Sequence, residues 1–201
     1  MIARRAIAAL MVSVAALLLA GCDKLFAPAK SPFQGVDVTG SDMGRELRLR
    51  DATGRERSLT DFRGKVVVVA FGYTHCPDVC PMTLSNLASA RKKLGADGKD
   101  VQVLFVTVDP KRDKPELLAQ YVPAFDPTFI GLTGTPEEVA KVTKDFHVYA
   151  NAREGKPGED YTVDHSAQSF ALDRQGSMRL VFAPDLAPEA IASDLRVLLN
   201  G

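Results

Sequence analysis

Lys65-Val-Val-Val-Val-Ala-Phe-Gly72-Tyr-Thr-His-Cys76-Pro-Asp-Val-Cys80-Pro-Met-Thr83 is the stretch that decides the fold. Its first half is apolar and β-branched without alternation, the pattern of a strand buried on both faces beneath helices. Its second half holds two cysteines four residues apart and runs into a helix. Val101 to Val108 is a second apolar run of the same kind. Between the two, Leu84, Leu87, Ala88 and Leu94 fall on one helical stripe. A strand, a helix and a second strand in that order require parallel pairing. Burying each large apolar side chain contributes about 1.5–3 kcal/mol, so these strands anchor the core.

Working outward, three later helices announce their starts. Asp113-Lys-Pro-Glu116 and Thr135-Pro-Glu-Glu138 read as capping boxes with Pro near the first helical position. Pro188-Glu189 opens the last helix, with Ile191, Leu195, Leu198 and Leu199 on one face. Thr128 to Leu132 reads as a short strand. Gln168 to Leu172 and Arg179 to Phe182 flank Asp173-Arg-Gln-Gly-Ser177, a hairpin signature. The order β-α-β-α-β-α-β-β-α predicts an α/β sandwich with a mixed sheet, compatible with a thioredoxin-like fold carrying extra elements.

Composition bounds the function. The chain has 201 residues, 46% hydrophobic and 25% charged, with 25 basic and 25 acidic side chains. That suits a folded domain and leaves no electrostatic footprint for nucleic acid. There are three Cys, too few for a disulfide scaffold, and no Trp, which excludes a thioredoxin-type Trp-Cys motif.

The N-terminus reads as a targeting signal. Arg4 and Arg5 form the positive region, and Ala6 to Ala20 is apolar except for Ser13. Leu19-Ala20-Gly21-Cys22 resembles a bacterial lipobox, in which the Cys is lipidated and becomes the new N-terminus. An uncleaved helical anchor is the alternative, but the run is short for a span of about 20 residues. The expected organisation is a signal peptide over 1–21, a lipidated Cys22 with a tether over 22–40, and a folded domain over 41–201. Removing 1–21 takes away Arg4 and Arg5 but no acid, leaving the mature chain formally acidic by two. Multiple acylation would hold it stably on a membrane surface. Asp23 resembles the inner-membrane retention signal of enteric lipoproteins. The expected location is therefore the periplasmic face of the cytoplasmic membrane.

With Cys22 lipidated, Cys76 and Cys80 are the remaining thiols. At i and i+4 they can face one another across a helical turn, at the C-terminal edge of a parallel strand where α/β proteins place ligands. A helix N-terminus favours thiolate, and Asp78 would oppose that if it pointed inward. Two plainer readings stand beside this one. The pair can be small buried hydrophobes. It can also be a structural disulfide, though so short a loop gains little from closure. Far along the chain lies Asp164-His165-Ser166. A lone His is more often a satisfied core or loop residue than a ligand. If the sheet brings His165 over the cysteines, two thiolates and an imidazole suit copper by softness and affinity order. Structural zinc would want a fourth ligand.

These residues resemble the Sco (SenC) family of copper-binding cytochrome oxidase assembly proteins. The matching stretches are Asp61 to Lys65, Phe71 to Pro81, Val106 to Asp113, Phe129 to Gly134 and Tyr161 to Ser166. They span roughly residues 40–200. The combination of Cys-x-x-x-Cys-Pro with a distant Asp-His-Ser is specific, whereas either piece alone is weak. The resemblance implies a thioredoxin-like fold, copper held by Cys76, Cys80 and His165, and a role in maturing the CuA centre of cytochrome c oxidase. The CuA-bearing subunit is then the expected partner, with other copper chaperones and a thiol reductant as further contacts. Many relatives carry a transmembrane helix where this chain carries a lipobox, and Lys114 stands where the family's stretch would have Thr. A thiol–disulfide reductase that keeps the oxidase's copper-ligating cysteines reduced is the alternative, with Cys76 and Cys80 as its redox pair. A thiol peroxidase on the same fold has only the fold in its favour.

The neighbours are read more plainly. Asp113 is expected as a helix N-cap and Asp109 as the start of a turn, although the resemblance would put their loop near the site. His75 is expected to point away from the pair, and His147 to sit at a helix terminus. Phe71 and Tyr73 are expected to pack around the thiols. The polar stretch Asn151 to Asp160 reads as a loop that would help dock a target.

Overall fold

The computed structural model describes residues 31–154 and 161–201. Within residues 32–201, strands β1 (Val36–Asp37), β2 (Arg48–Asp51), β3 (Glu56–Ser58), β4 (Val66–Gly72), β5 (Val101–Thr107), β6 (Ile130–Thr133), β9 (Ser169–Leu172) and β10 (Met178–Phe182) form one sheet. Its order is β1-β10-β9-β4-β5-β6-β2-β3. The strand–helix–strand unit is as expected: β4 and β5 pair in parallel from Val66 with Val101 to Gly72 with Thr107. β6 continues the parallel block, and the other pairings are antiparallel. This is the expected thioredoxin-like α/β sandwich with a mixed sheet.

Side chains alternate across β4 because the strand period is two. Val66, Val68 and Ala70 face α1 (Val79–Lys93) and α4 (Pro188–Asn200), packing with Leu84, Leu87, Ile191 and Leu195. Leu118 of α2 (Pro115–Tyr121) joins that layer. Val67, Val69 and Phe71 face the other way, toward Val139 and Val142 of α3 (Pro136–Asp145). With helices on both faces, β4 has no solvent side, which is why its sequence does not alternate.

α3 starts with the predicted reciprocal box: Thr135 Oγ1 accepts from the Glu138 amide, and the Glu138 carboxylate accepts from the Thr135 amide. α2 does not. Its cap position is Lys114, which makes no side-chain cap hydrogen bond, and Asp113 lies one residue outside. The domain also begins earlier than Ser41. Phe33 packs on the core, the Gln34 and Gly35 amides donate to the buried Asp194 carboxylate, and β1 extends the sheet along β10. The stretch read as a loop from Asn151 contains part of a hairpin: β7 (Ala150–Arg153) pairs with β8 (Thr162–His165) in a separate two-stranded sheet. Residues 155–160 of that loop, and Cys22 with the signal segment, lie outside the described residues. His147 follows α3, is exposed, and takes a left-handed φ of 53°.

Candidate metal centre

β4 delivers the site. Its last residue, Gly72, lies directly behind Cys80: a Cβ added there would sit 2.8 Å from Cys80 Sγ and 2.8 Å from the Phe105 ring. Only a residue without a side chain lets the sulfur pack against the strand end. The chain then turns, with the Cys76 amide donating to the Tyr73 carbonyl at 3.2 Å, and α1 begins at Val79. Cys76 is half-buried and Cys80 is buried; both are free thiols.

Tyr73, Cys80 and Val163 form a small apolar cluster, against which Cys76 and Tyr161 pack. Phe71 is not part of it. Strand alternation sends Phe71 to the opposite face, against Phe146 at 5.2 Å and Phe170 at 5.9 Å between ring centroids. Tyr73 does pack around the thiols, as expected.

His165, the last residue of β8, reaches the cluster from the other side. Its Nε2 lies 3.5 Å from Cys80 Sγ. Its Nδ1 lies 3.1 Å from the Val163 carbonyl oxygen. A carbonyl can only accept, so Nδ1 carries the hydrogen and the Nε2 lone pair faces the sulfur. The Tyr73 ring meets the imidazole edge-on, 5.7 Å between centroids. The structure therefore brings His165 to Cys80, and Cys76 packs against the small apolar cluster that holds Cys80. Among the described residues, no three His, Cys, Asp or Glu side chains already stand at the spacing of an assembled metal site. The donor set itself fits a soft ion: two sulfurs and a neutral imidazole nitrogen with its tautomer set, in an apolar surround.

Electrostatics at Cys80 differ from the sequence expectation. Burial is the dominant influence and pushes the thiol well above its ordinary 9.0. A hydrogen bond from the Tyr73 backbone works the other way, while Cys76 and Asp113 add to the rise. Desolvation thus outweighs any help from the helix N-terminus, which is worth only about 0.3–1 kcal/mol near the surface. Asp78 stays exposed at the start of α1.

Four neighbours carry roles the sequence concealed. Asp113, fully buried, accepts from the Thr74 amide and from the hydroxyls of Thr74 and Thr107, so it pins the turn before Cys76 to the end of β5. Asp109 starts a turn, its carbonyl accepting from the Arg112 and Asp113 amides. Its carboxylate also accepts from the Tyr161 hydroxyl and from Arg112. Neither Arg112 nor Tyr161 stood out by spacing, although both lie inside quoted motifs. His75 is exposed and turned to Thr74 Oγ1 at 3.1 Å, with Asp113 behind it at 3.8 Å. A groove of about 410 Å³ between α3 and β7 shares Tyr161 and Val163 with the cluster but reaches neither sulfur.

The SCO1/SenC family model matches residues 36–200. The chain is 39% identical over 153 residues to the mitochondrial SCO2 homolog of Homo sapiens, a match covering 75% of this chain and 58% of that protein. It therefore spans a little over half the length of that curated relative. Among solved structures it is similar to Bradyrhizobium japonicum ScoI with copper bound, at 39% identity and a TM-score of 0.72, covering 78% of this chain and 99% of that one. It is also similar to a SCO1/SenC family lipoprotein from Bacillus anthracis str. Ames, at 26% identity and a TM-score of 0.66, covering 81% and 96%.

Proposed function

This chain belongs to the SCO1/SenC family, and from that membership we propose that it is a copper-binding assembly factor that supplies the CuA centre of cytochrome c oxidase. The observation that carries the reading is the 3.5 Å approach of His165 Nε2 to Cys80 Sγ, with Nδ1 tied to Val163. Copper is the cargo. Cys76 and Cys80 supply thiolates, which give up their protons as the ion binds, and His165 Nε2 supplies a neutral nitrogen. Three protein donors hold the ion without saturating it, so a ligand from the target can enter and take it. The copper-bound state of the Bradyrhizobium relative supports the choice of ion.

Anchoring belongs to the same proposal. Cys22 is lipidated after removal of residues 1–21, and the domain works on the periplasmic face of the cytoplasmic membrane. Among the described residues no helix is long and apolar enough to cross a membrane. The similar Bacillus lipoprotein supports a lipid anchor.

The adjacency of two free thiols also supports the alternative, a thiol–disulfide reductase. In that reaction one thiolate attacks the target's disulfide and the second resolves the mixed disulfide. Cys76 and Cys80 end oxidised, and the target gains two electrons and two protons. The deciding experiment mixes the copper-loaded protein with an apo CuA domain. Stoichiometric movement of copper, abolished by His165→Ala, is the expected result. Reduction of the domain's disulfide without copper, sustained over many turnovers by an added small-thiol reductant and unaffected by His165→Ala, would replace the metallation reading with the reductase.

A further inference from the structure

Arg112 joins the sulfur side of the site to the imidazole side. Its Nε donates to one Asp109 carboxylate oxygen, and a terminal nitrogen donates to the Tyr161 carbonyl at 2.8 Å. The Tyr161 hydroxyl donates to the other Asp109 oxygen at 2.7 Å. The guanidinium carbon lies 3.7 Å from the centroid of the Tyr161 ring and 5.6 Å from that of Tyr73. Tyr161 immediately precedes β8, which ends at His165. Tyr73 accepts the Cys76 amide and meets His165 edge-on. One planar cation therefore contacts an aromatic ring from each half of the site while fastened to a third segment.

The hairpin that carries His165 needs such a fastening. Among the described residues β7 and β8 pair only with each other, and all four β7 residues are exposed. A lone two-stranded sheet is marginal, so its placement depends on side chains rather than on the main ladder. Its salt bridge between Arg153 and Asp164 is internal and fixes nothing outside. Val163 and the Arg112 contacts face the domain.

We infer that Arg112 is a positioning residue that sets the reach of His165 toward Cys76 and Cys80. The inference rests on the reading that these three side chains hold copper. Lys cannot replace Arg here, because an ammonium lacks the planar fork that stacks on one ring while donating to two acceptors.

The test compares the full chain with Arg112→Lys, Arg112→Ala and Tyr161→Phe. In Arg112→Lys the unfolding midpoint stays close to the parent, Cu(I) affinity falls about ten- to a hundredfold, and the thiolate-to-Cu(II) charge-transfer band shifts. Tyr161→Phe, which loses the hydroxyl's contacts with Asp109 and Arg112 but keeps the ring and the carbonyl, shows a smaller change in the same direction. Folded Arg112 variants with parental affinity and spectrum would overturn the inference; if Arg112→Ala does not fold, Arg112→Lys and Tyr161→Phe decide. A metal-free readout separates the two layers. Cross-relaxation between the His165 and Tyr73 rings weakens in Arg112→Lys if Arg112 positions the hairpin, and its persistence refutes that role. If it weakens while the parent and His165→Ala bind copper equally, positioning stands and the copper reading falls.

Discussion

His165 Nε2 stands 3.5 Å from Cys80 Sγ across 85 residues of chain. The two arrive on unrelated elements, one at the start of a helix packed on the main sheet and the other at the end of a separate hairpin. Their meeting depends on small backbone clearances and on buried polar ties, and each can be tested.

Gly72→Ala places a methyl group where Cys80 Sγ and the Phe105 ring already sit, each 2.8 Å away. Both neighbours are buried and cannot retreat freely. The variant is expected to lose about 1–3 kcal/mol of stability in urea unfolding. A parental midpoint would show that the sulfur moves aside without cost.

Asp113→Ala removes the acceptor for three donors: the Thr74 amide and the hydroxyls of Thr74 and Thr107. Orphaned buried donors cost about 1–3 kcal/mol each, so a total of about 2–5 kcal/mol is expected after partial relaxation. Asp113→Asn keeps one acceptor oxygen and should lose less. Equal losses in the two variants would count against this assignment.

Alkaline pH should destabilise the fold through Cys80. Burial holds its thiol protonated past the ordinary 9.0, so the folded chain keeps a proton that the unfolded chain releases. Below pH 9 both states hold the proton and stability is intact; above it the unfolded state ionises first and stability falls. One proton corresponds to about 1.4 kcal/mol per pH unit in that window. Urea midpoints of the parent and Cys80→Ser between pH 8 and pH 11 check this, and parallel declines would refute it. Tyr121, whose phenol burial also raises, contributes in the same direction from a higher starting point.

A chain starting at Ser41 should be markedly less stable than one starting at Pro32. It lacks the Gln34 and Gly35 amides that satisfy the fully buried Asp194 carboxylate, and it lacks β1. Hydrogen bonds to a charged group are worth about 1.5–3 kcal/mol each, so a loss of about 3 kcal/mol or more is expected. Matching melting curves for the two chains would mean that residues 32–40 do not support the fold.

What the sequence reveals and conceals follows from periodicity. β4, β5, α1 and α4 bury enough apolar surface to leave an unmistakable pattern, and the two cysteines stand out at their junction. β1 and β3 are two and three residues long, and β7 is exposed throughout, so none leaves a pattern to read. Asp113 misleads because Asp-Lys-Pro-Glu satisfies a capping template, while the partner that claims its carboxylate, Thr74, lies 39 residues upstream. Phe71 misleads because it neighbours the thiols in sequence, whereas alternation along β4 decides which layer it enters. His165 is legible only through the combined motif, since no local pattern marks a residue whose meaning comes from the hairpin's placement.

Cys80 is 3% exposed, whereas Cys76 is half-buried. To a visitor the two sulfurs are therefore not equivalent. A thiol approaching from solvent meets Cys76 first, with Cys80 beneath it. The pair thus has an outer and an inner member, and the inner sulfur is shielded from stray oxidants for as long as the fold stays shut.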